Sequence, residues 1–326
     1  MKVLLLASAA SRQQIEPIFS ELETFCKLKM DWLTPARQQK LASVVDGVPL
    51  ARYDRILMWL PFDCLYSQIN TLRKIPQLIV FDYTYHEYHA RDREVASRRD
   101  KLTKALPWAR FVVFGLDRKE RLSKSGVDVE SIPPFLGLSL ASKEGSSLLP
   151  VSEFKCKTIG VCLLGDMEQT TNKRHREILF EIRRELKIHV IGGDESVNQK
   201  RQVLDKSVMC VVDDLPYGGL RGQSLDAFAA GCVVLLWPPN ALECGELGLV
   251  DMENVALVDS KESLVAKVNF LKRHKDQAQA IAIAGQAWVA ALDAKVIGAL
   301  MNCIEAKLGK YTGDNAWSSL KYLFYR

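Results

Sequence analysis

Three stretches of this 326-residue chain gather side chains that can do chemistry. The first is Phe81-Asp82-Tyr83-Thr84-Tyr85-His86-Glu87-Tyr88-His89, with two histidines, two acids and three tyrosines in nine residues. His86 or Asp82 there can act as a general base or hold a developing charge. The second runs from Gly165 to Arg176 and carries Lys173, Arg174 and Arg176 behind Asn172, a candidate helix N-cap. Cations in a first helical turn oppose the helix dipole, a local cost that a bound diphosphate would relieve. The third is Gly218-Gly219-Leu220-Arg221-Gly222-Gln223-Ser224-Leu225-Asp226, followed by Ala227–Gly231 and the apolar run Cys232–Leu236. Glycines there let backbone N–H groups approach a ligand, and Asp226 can accept hydrogen bonds from ribose hydroxyls.

Each stretch follows a candidate strand, so the elements decide whether these residues meet. Val3–Ala7, Arg55–Leu60, Gln77–Asp82 and Phe111–Phe114 are short apolar runs, each followed by a polar, helix-forming segment. One such segment is Arg91–Ala105, ended by Pro107. Residues 141–154, with Ser142-Lys143-Glu144-Gly145-Ser146-Ser147 and Pro150, lack apolar periodicity and read as a linker. The alternation then restarts. Strands are expected at Lys157–Leu164, Lys187–Ile191, Val208–Val212, Cys232–Trp237 and Asn254–Val258. Helices are expected at Arg174–Leu186, Gly222–Ala230, Glu262–Arg273, Gln277–Leu292 and Ala294–Leu308. Apolar strands alternating with helices imply parallel sheets covered on both faces. The expected organisation is therefore two doubly wound α/β domains, 1–140 and 155–310, with ligands at the carboxyl ends of strands in a cleft between them. The tail 311–326, with Trp317, Leu320, Tyr322, Leu323, Phe324 and Tyr325, is expected to pack back as a helix.

Composition narrows the classes. With 48% hydrophobic residues and a net charge of +5 the chain is too apolar for a disordered protein, and no run of about 18 apolar residues marks a membrane span. Nicotinamide and flavin dehydrogenases are disfavoured by the lack of G-x-G-x-x-G, P-loop enzymes by the lack of G-x-x-x-x-G-K-[ST], and α/β-hydrolases by the lack of G-x-S-x-G. The eight cysteines form no C-x-x-C pair and read as reduced thiols, so no metal is expected. Met1–Ala10 reads as a first strand and loop, not a signal peptide, and the expected compartment is the cytoplasm. All the net charge lies in residues 1–150, which hold 22 Lys and Arg against 17 Asp and Glu. Between Arg91 and Lys124 eleven basic residues face five acidic ones. Arg98, Arg99 and Lys101 are the expected heart of a patch for an anionic acceptor or the inner membrane face. Nucleic acid is not expected, because aromatic residues are not interleaved along most of the patch.

The string Ser224-Leu225-Asp226-Ala227-Phe228-Ala229-Ala230-Gly231-Cys232-Val233-Val234 resembles the donor-site motif of GT-B glycosyltransferases related to glycosyl transferases group 1. Glu253–Asp259, Glu262–Arg273 and Ile281–Gln286 are similar to the elements that follow it in that family, and Val112–Gly115 through Pro134 to its last first-domain strand. The resemblance implies a GT-B fold of two Rossmann-like domains, with a nucleotide-sugar in the second domain and the acceptor in the first. It implies no cofactor and no catalytic metal. Lys173 or Arg174 falls where a diphosphate-binding cation stands, with Gly165 in the loop before it and Arg221 within reach. Asp226 falls on the second acid of the family's E-x7-E motif, and Ser224 is a further donor-binding candidate. His86 matches loosely a first-domain histidine near the transferred sugar. Gly218 occupies the place of the first acid, a departure that bears on the retaining mechanism.

The expected function is transfer of a sugar from a nucleoside-diphosphate sugar to a hydroxyl of a glycan, lipid-linked or protein acceptor. The alternatives are a catalytically silent GT-B-like scaffold and a sugar-nucleotide epimerase.

Overall fold

A computed structural model describes residues 1–83, 92–135, 156–164, 173–191, 196–213, 220, 222–237 and 241–312. The chain divides into two compact units, which are described separately. The first comprises Met1–Phe114, Arg118–Ile132 and the chain from Ile297; the second comprises Gly115–Asp117 and Pro133–Val296.

The first unit is built on a six-stranded sheet of β1 (Lys2–Ser8), β2 (Lys27–Leu33), β3 (Arg55–Trp59), β4 (Leu78–Asp82), β5 (Arg110–Phe114) and β6 (Val129–Ile132). Its order is β2-β1-β3-β4-β5-β6, and every pair is parallel. In the central strands Leu5 lies opposite Leu57, and Leu57 opposite Ile79. Both faces are covered. Leu4, Leu6, Ile56, Met58, Val80 and Val113 point into one core. The alternate residues Trp59 and Phe81 pack with Phe19 and Phe114 on the other face.

The second unit holds five parallel strands, β7 (Ile159–Leu164), β8 (His189–Ile191), β9 (Ser207–Asp213), β10 (Val233–Trp237) and β11 (Ala256–Leu257), in the order β11-β10-β9-β7-β8. Here the period of two is explicit. Cys162, Leu164, Cys210, Val212, Val234 and Leu236 belong to one core, and Val161, Leu163, Val211, Val233 and Leu235 to the other. Both sheets thus share the doubly wound strand order 2-1-3-4-5, which the first extends by β6.

The expected strands are all present, with ends shifted by a few residues. The run at Lys187 is shorter because that residue closes the preceding helix. It adopts φ 54°, and the Ile188 N–H donates to the Arg183 carbonyl at 3.1 Å, which is a Schellman closure. Glycine at 187 relieves the left-handed strain, so Lys187→Gly is expected to raise stability by about 0.5–1 kcal/mol. A urea titration checks this; a loss of stability contradicts it.

The chain from Ile297 differs from expectation, because it packs with the first unit and not the second. Two arginines at the start of their strands hold the end of the helix Leu292–Glu305. Arg55 Nε donates to the Ile304 carbonyl at 2.7 Å. Arg110 donates to the carbonyls of Cys303 at 2.8 Å and Lys307 at 3.0 Å while pairing with Asp128. Guanidinium groups at a helix C-terminus satisfy its last carbonyls and its dipole together. Beyond it, the Tyr311 hydroxyl donates to the Arg73 carbonyl at 2.8 Å, and its ring meets Trp108 edge-on. The expected tail helix and the linker 141–154 lie outside the described residues, apart from 311 and 312.

Among the described residues, one stretch, Lys275–Glu305, is long and apolar enough to cross a membrane. It is two helices, Lys275–Ala290 and Leu292–Glu305, each with one buried face. Ala278, Ile281, Ala282, Gly285, Trp288 and Val289 form the buried stripe of the first.

Candidate functional site

In a doubly wound sheet, ligands bind beyond the carboxyl ends of the two strands where the order reverses. In the second unit these are β7 and β9, neighbours in the sheet and out of sequence order. In the sequence β7 is followed by residues 165–172, the start of the second stretch, and β9 by residues 214–219, which end in the first glycines of the third. Gly165 and Arg221 lie outside the described residues. Lys173 and Arg174 are the first two residues of the helix Lys173–Leu186, whose first turn carries no acid. Nothing is described of their side chains.

The third stretch is better defined. The helix Gly222–Ala229 is short because Gly231 follows at φ 65°, with the Gly231 N–H donating to Phe228 and Cys232 N–H to Ala227. Its last carbonyls are held from two sides: Gln286 Nε2 donates to Ala229 at 2.8 Å and Lys157 Nζ to Ala230 at 3.2 Å. Leu225, Ala227 and Phe228 anchor it in the core, where Phe228 packs on Trp288 with ring centroids 4.8 Å apart. Ser224 and Asp226 are both buried, with Asp226 only 4% exposed. A carboxylate in so dry a position makes strong hydrogen bonds.

Gly285 makes this packing possible. A Cβ there would lie 2.7 Å from the Asn254 carbonyl oxygen and 3.0 Å from the Phe228 ring. Gly285→Ala is therefore expected to push Phe228 and its helix and to cost about 1–3 kcal/mol. Denaturant titration measures the loss, and an unchanged midpoint would contradict this account of the packing.

Sequence reasoning missed Glu243. It is 4% exposed, in the helix Ala241–Leu247 after β10, and its Oε1 accepts from the Leu220 N–H at 3.5 Å. It thus holds the backbone two residues before the helix Gly222–Ala229. Its one sequence signal is that of an acid in the first turn of a short helix.

In the first unit the order reverses between β1 and β3. Asp82 ends β4, but it is no free base. Arg99, only 2% exposed, pairs with it through Nε, and through Nη2 at 3.4 Å to Oδ1. Arg118 donates to the Asp82 carbonyl at 3.4 Å, and the Arg99 guanidinium lies over the Phe62 ring. A carboxylate held by a guanidinium is a poor proton acceptor, which corrects the catalytic expectation for Asp82. His86 lies outside the described residues.

Arg99 is likewise not a surface residue, which corrects its place in the expected basic patch. Arg98 pairs with Asp63 at 3.3 Å and lies over the Tyr66 ring; Lys101 is exposed. Arg110 pairs with Asp128 at 3.0 Å, and Lys119 with Glu130 at 2.7 Å. Four of the window's basic residues thus meet acids that lie outside Arg91–Lys124 in sequence. The excess counted along the chain is reduced in space.

All eight cysteines are free and six are buried; Cys64 is half-buried and Cys156 exposed. Among the described residues no group of three or more His, Cys, Asp or Glu side chains could hold a metal ion.

The architecture has clear counterparts among solved structures. A phage T4 β-glucosyltransferase aligns over 94% of this chain and 100% of its own, with TM-score 0.56 and 13% identity. Anabaena Alr3699/HepE, in complex with UDP-glucose, aligns over 94% and 98%, with TM-score 0.55 and 15% identity. An α-glucosyltransferase in complex with UDP and a 13-mer DNA containing an HMU base aligns over 94% and 99%, with TM-score 0.58 and 10% identity. No family model and no curated protein matches the sequence. The fold is GT-B, with two Rossmann-like α/β units, and its structural counterparts are glycosyltransferases. At these identities the likeness is one of fold.

Proposed function

We propose that the protein is a glycosyltransferase that moves a sugar from a nucleoside-diphosphate sugar to an acceptor hydroxyl. The observation that carries this reading is the switch point of the second sheet. β7 and β9 lie side by side there, and in the sequence each is followed by a segment suited to a diphosphate, ahead of Lys173, Arg174 and Arg221. Negative charge develops on the departing diphosphate, and fixed cations near a helix start stabilise it without reorganisation. Under this reading Gly165 lets the diphosphate approach the backbone. Asp226 and Ser224 take hydroxyls of the ribose or the sugar, and Glu243 holds the Leu220 N–H next to Arg221 in sequence. His86 assists at the reacting centre in place of the Arg99-bound Asp82.

No metal or other cofactor is needed, since the basic side chains do the work a cation would do. The acceptor is a glycan, lipid-linked or protein hydroxyl on the first unit, and the chain works in the cytoplasm or peripherally on the inner membrane face. The UDP-glucose bound by HepE makes UDP-glucose the first donor to test. Mass spectrometry of products after incubation with UDP-sugars and candidate acceptors tests the proposal. A glycosylated acceptor supports it; donor turnover that yields only an epimerised nucleotide-sugar redirects it to an epimerase.

Gly218, in the place of the family's first acid, favours a second reading, a silent scaffold of the same fold. That reading requires that no nucleoside diphosphate raise the thermal midpoint.

A further inference from the structure

The helix Gly222–Ala229 carries Asp226, and the end beyond that residue is fully closed. Successive carbonyls from Asp226 to Ala230 each accept a hydrogen bond. The Ala230 N–H donates to Asp226 at 3.0 Å, the Cys232 N–H to Ala227 at 3.1 Å and the Gly231 N–H to Phe228 at 3.0 Å. The last two carbonyls are met by side chains from far along the chain. Gln286 Nε2 reaches Ala229, and Lys157 Nζ reaches Ala230. Ala230 thus joins Lys157, through its carbonyl, to the Asp226 carbonyl, through its N–H, across a single helical turn.

Lys157 precedes β7 and is only 8% exposed. An ammonium is costly to bury, and a methionine would fill similar space without that cost. At a helix C-terminus the charge meets both the last carbonyl and the negative end of the dipole, which offsets the cost. Other groups feel the same charge. Burial raises the Asp205 carboxyl, and Arg201 and Lys157 pull it back; Asp205 also lies 3.8 Å from Arg201. Burial raises the Cys232 thiol too, and Lys157 opposes it. The opposite end of the helix begins at Gly222, behind Gly218-Gly219 in sequence. Glycines leave that end the freer one. The place of Asp226 is therefore set from the base, by Lys157, Gln286 and the seat of Phe228 against Gly285. A carboxylate that selects hydroxyls must be held to about 0.5 Å.

We infer that Lys157 and Gln286 are positioning residues for donor binding. They act on the ligand through the last helical turn, by fixing Asp226 for the hydroxyls of the ribose or the sugar. The inference rests on the reading of the second unit as the donor side.

Calorimetric titration of the full chain with UDP, GDP, ADP, CDP and TDP tests it, using the nucleotide that the wild type binds most tightly. Lys157→Met is expected to weaken that affinity about tenfold and Gln286→Leu about threefold, with Lys157→Arg within about threefold of the wild type. Circular dichroism checks that each variant is folded, and Gln286→Leu carries the test should Lys157→Met unfold. Arg99→Met, destabilised in the other unit, is expected to bind as the wild type does. The decisive comparison is a cycle with Asp226→Asn. Adding Lys157→Met or Gln286→Leu to Asp226→Asn is expected to cause little further loss, because both act through that carboxylate. Unchanged affinity in Lys157→Met and Gln286→Leu, losses that add to that of Asp226→Asn, or an equal loss in Lys157→Arg and Lys157→Met would overturn the inference and leave the donor site standing. A wild type that binds none of the five nucleotides would remove the donor site, and this inference with it.

Discussion

Replacing Arg99 with methionine is expected to remove about 3–5 kcal/mol from the free energy of unfolding. The reason is the partner left behind. Asp82 is 4% exposed, and without the guanidinium its charge is buried beside Phe62 and the end of β4. Removing the carboxylate as well relieves that penalty. The double variant Asp82→Asn/Arg99→Met is therefore expected to be more stable than Arg99→Met alone. Urea unfolding followed by circular dichroism measures both, and additive losses in the double variant would contradict the pair. The pair also bears on function, because it ties the end of β4 to the helix Asp92–Ala105 and so bounds the segment that carries His86.

Alanine at both Arg174 and Arg221 is expected to weaken nucleoside-diphosphate binding by about a hundredfold or more, roughly tenfold for each charge-assisted contact. Arg174 is the second residue of the helix Lys173–Leu186, and Arg221 immediately precedes the helix Gly222–Ala229 in sequence. The loss should shrink as salt is added, since part of it is screened Coulomb attraction. Calorimetric titration with UDP measures it. Equal affinity in the wild type and the double variant would remove both residues from the donor site.

Much of the fold was legible because the central strands are fully apolar. Val3–Ala7 and Val233–Trp237 are buried on both faces and leave an uninterrupted signature. The strands that escaped are edges. β2 reads Lys27-Leu28-Lys29-Met30-Asp31-Trp32-Leu33, with its lysines turned to solvent, and β6 has only its end residues Val129 and Ile132 buried. The return of the chain from Ile297 to the first unit was hidden as well. It depends on Arg55 and Arg110 reaching carbonyls 249 and 193 residues away, and no local pattern encodes that.

The same limit applies to the sites. The helix Gly222–Ala229 was readable from its Gly-rich turn and Gly231 stop, but the carbonyl of Asn254 against Gly285 was not. Asp82 looked catalytic because its sequence neighbours are histidine and tyrosine; its spatial neighbour is Arg99, seventeen residues on. The basic window misled for a related reason. Charge was counted along the chain, while Asp63, Asp82, Asp128 and Glu130 approach it from outside.

The central claim is that the second unit holds a nucleoside diphosphate at the β7–β9 switch point. Calorimetric titration of the full chain with UDP, GDP, ADP, CDP and TDP, with inorganic pyrophosphate as the reference, tests it most directly. The account predicts that at least one nucleoside diphosphate saturates a single class of site, more tightly than pyrophosphate and without added metal. Heats indistinguishable from dilution for all five nucleotides would contradict it.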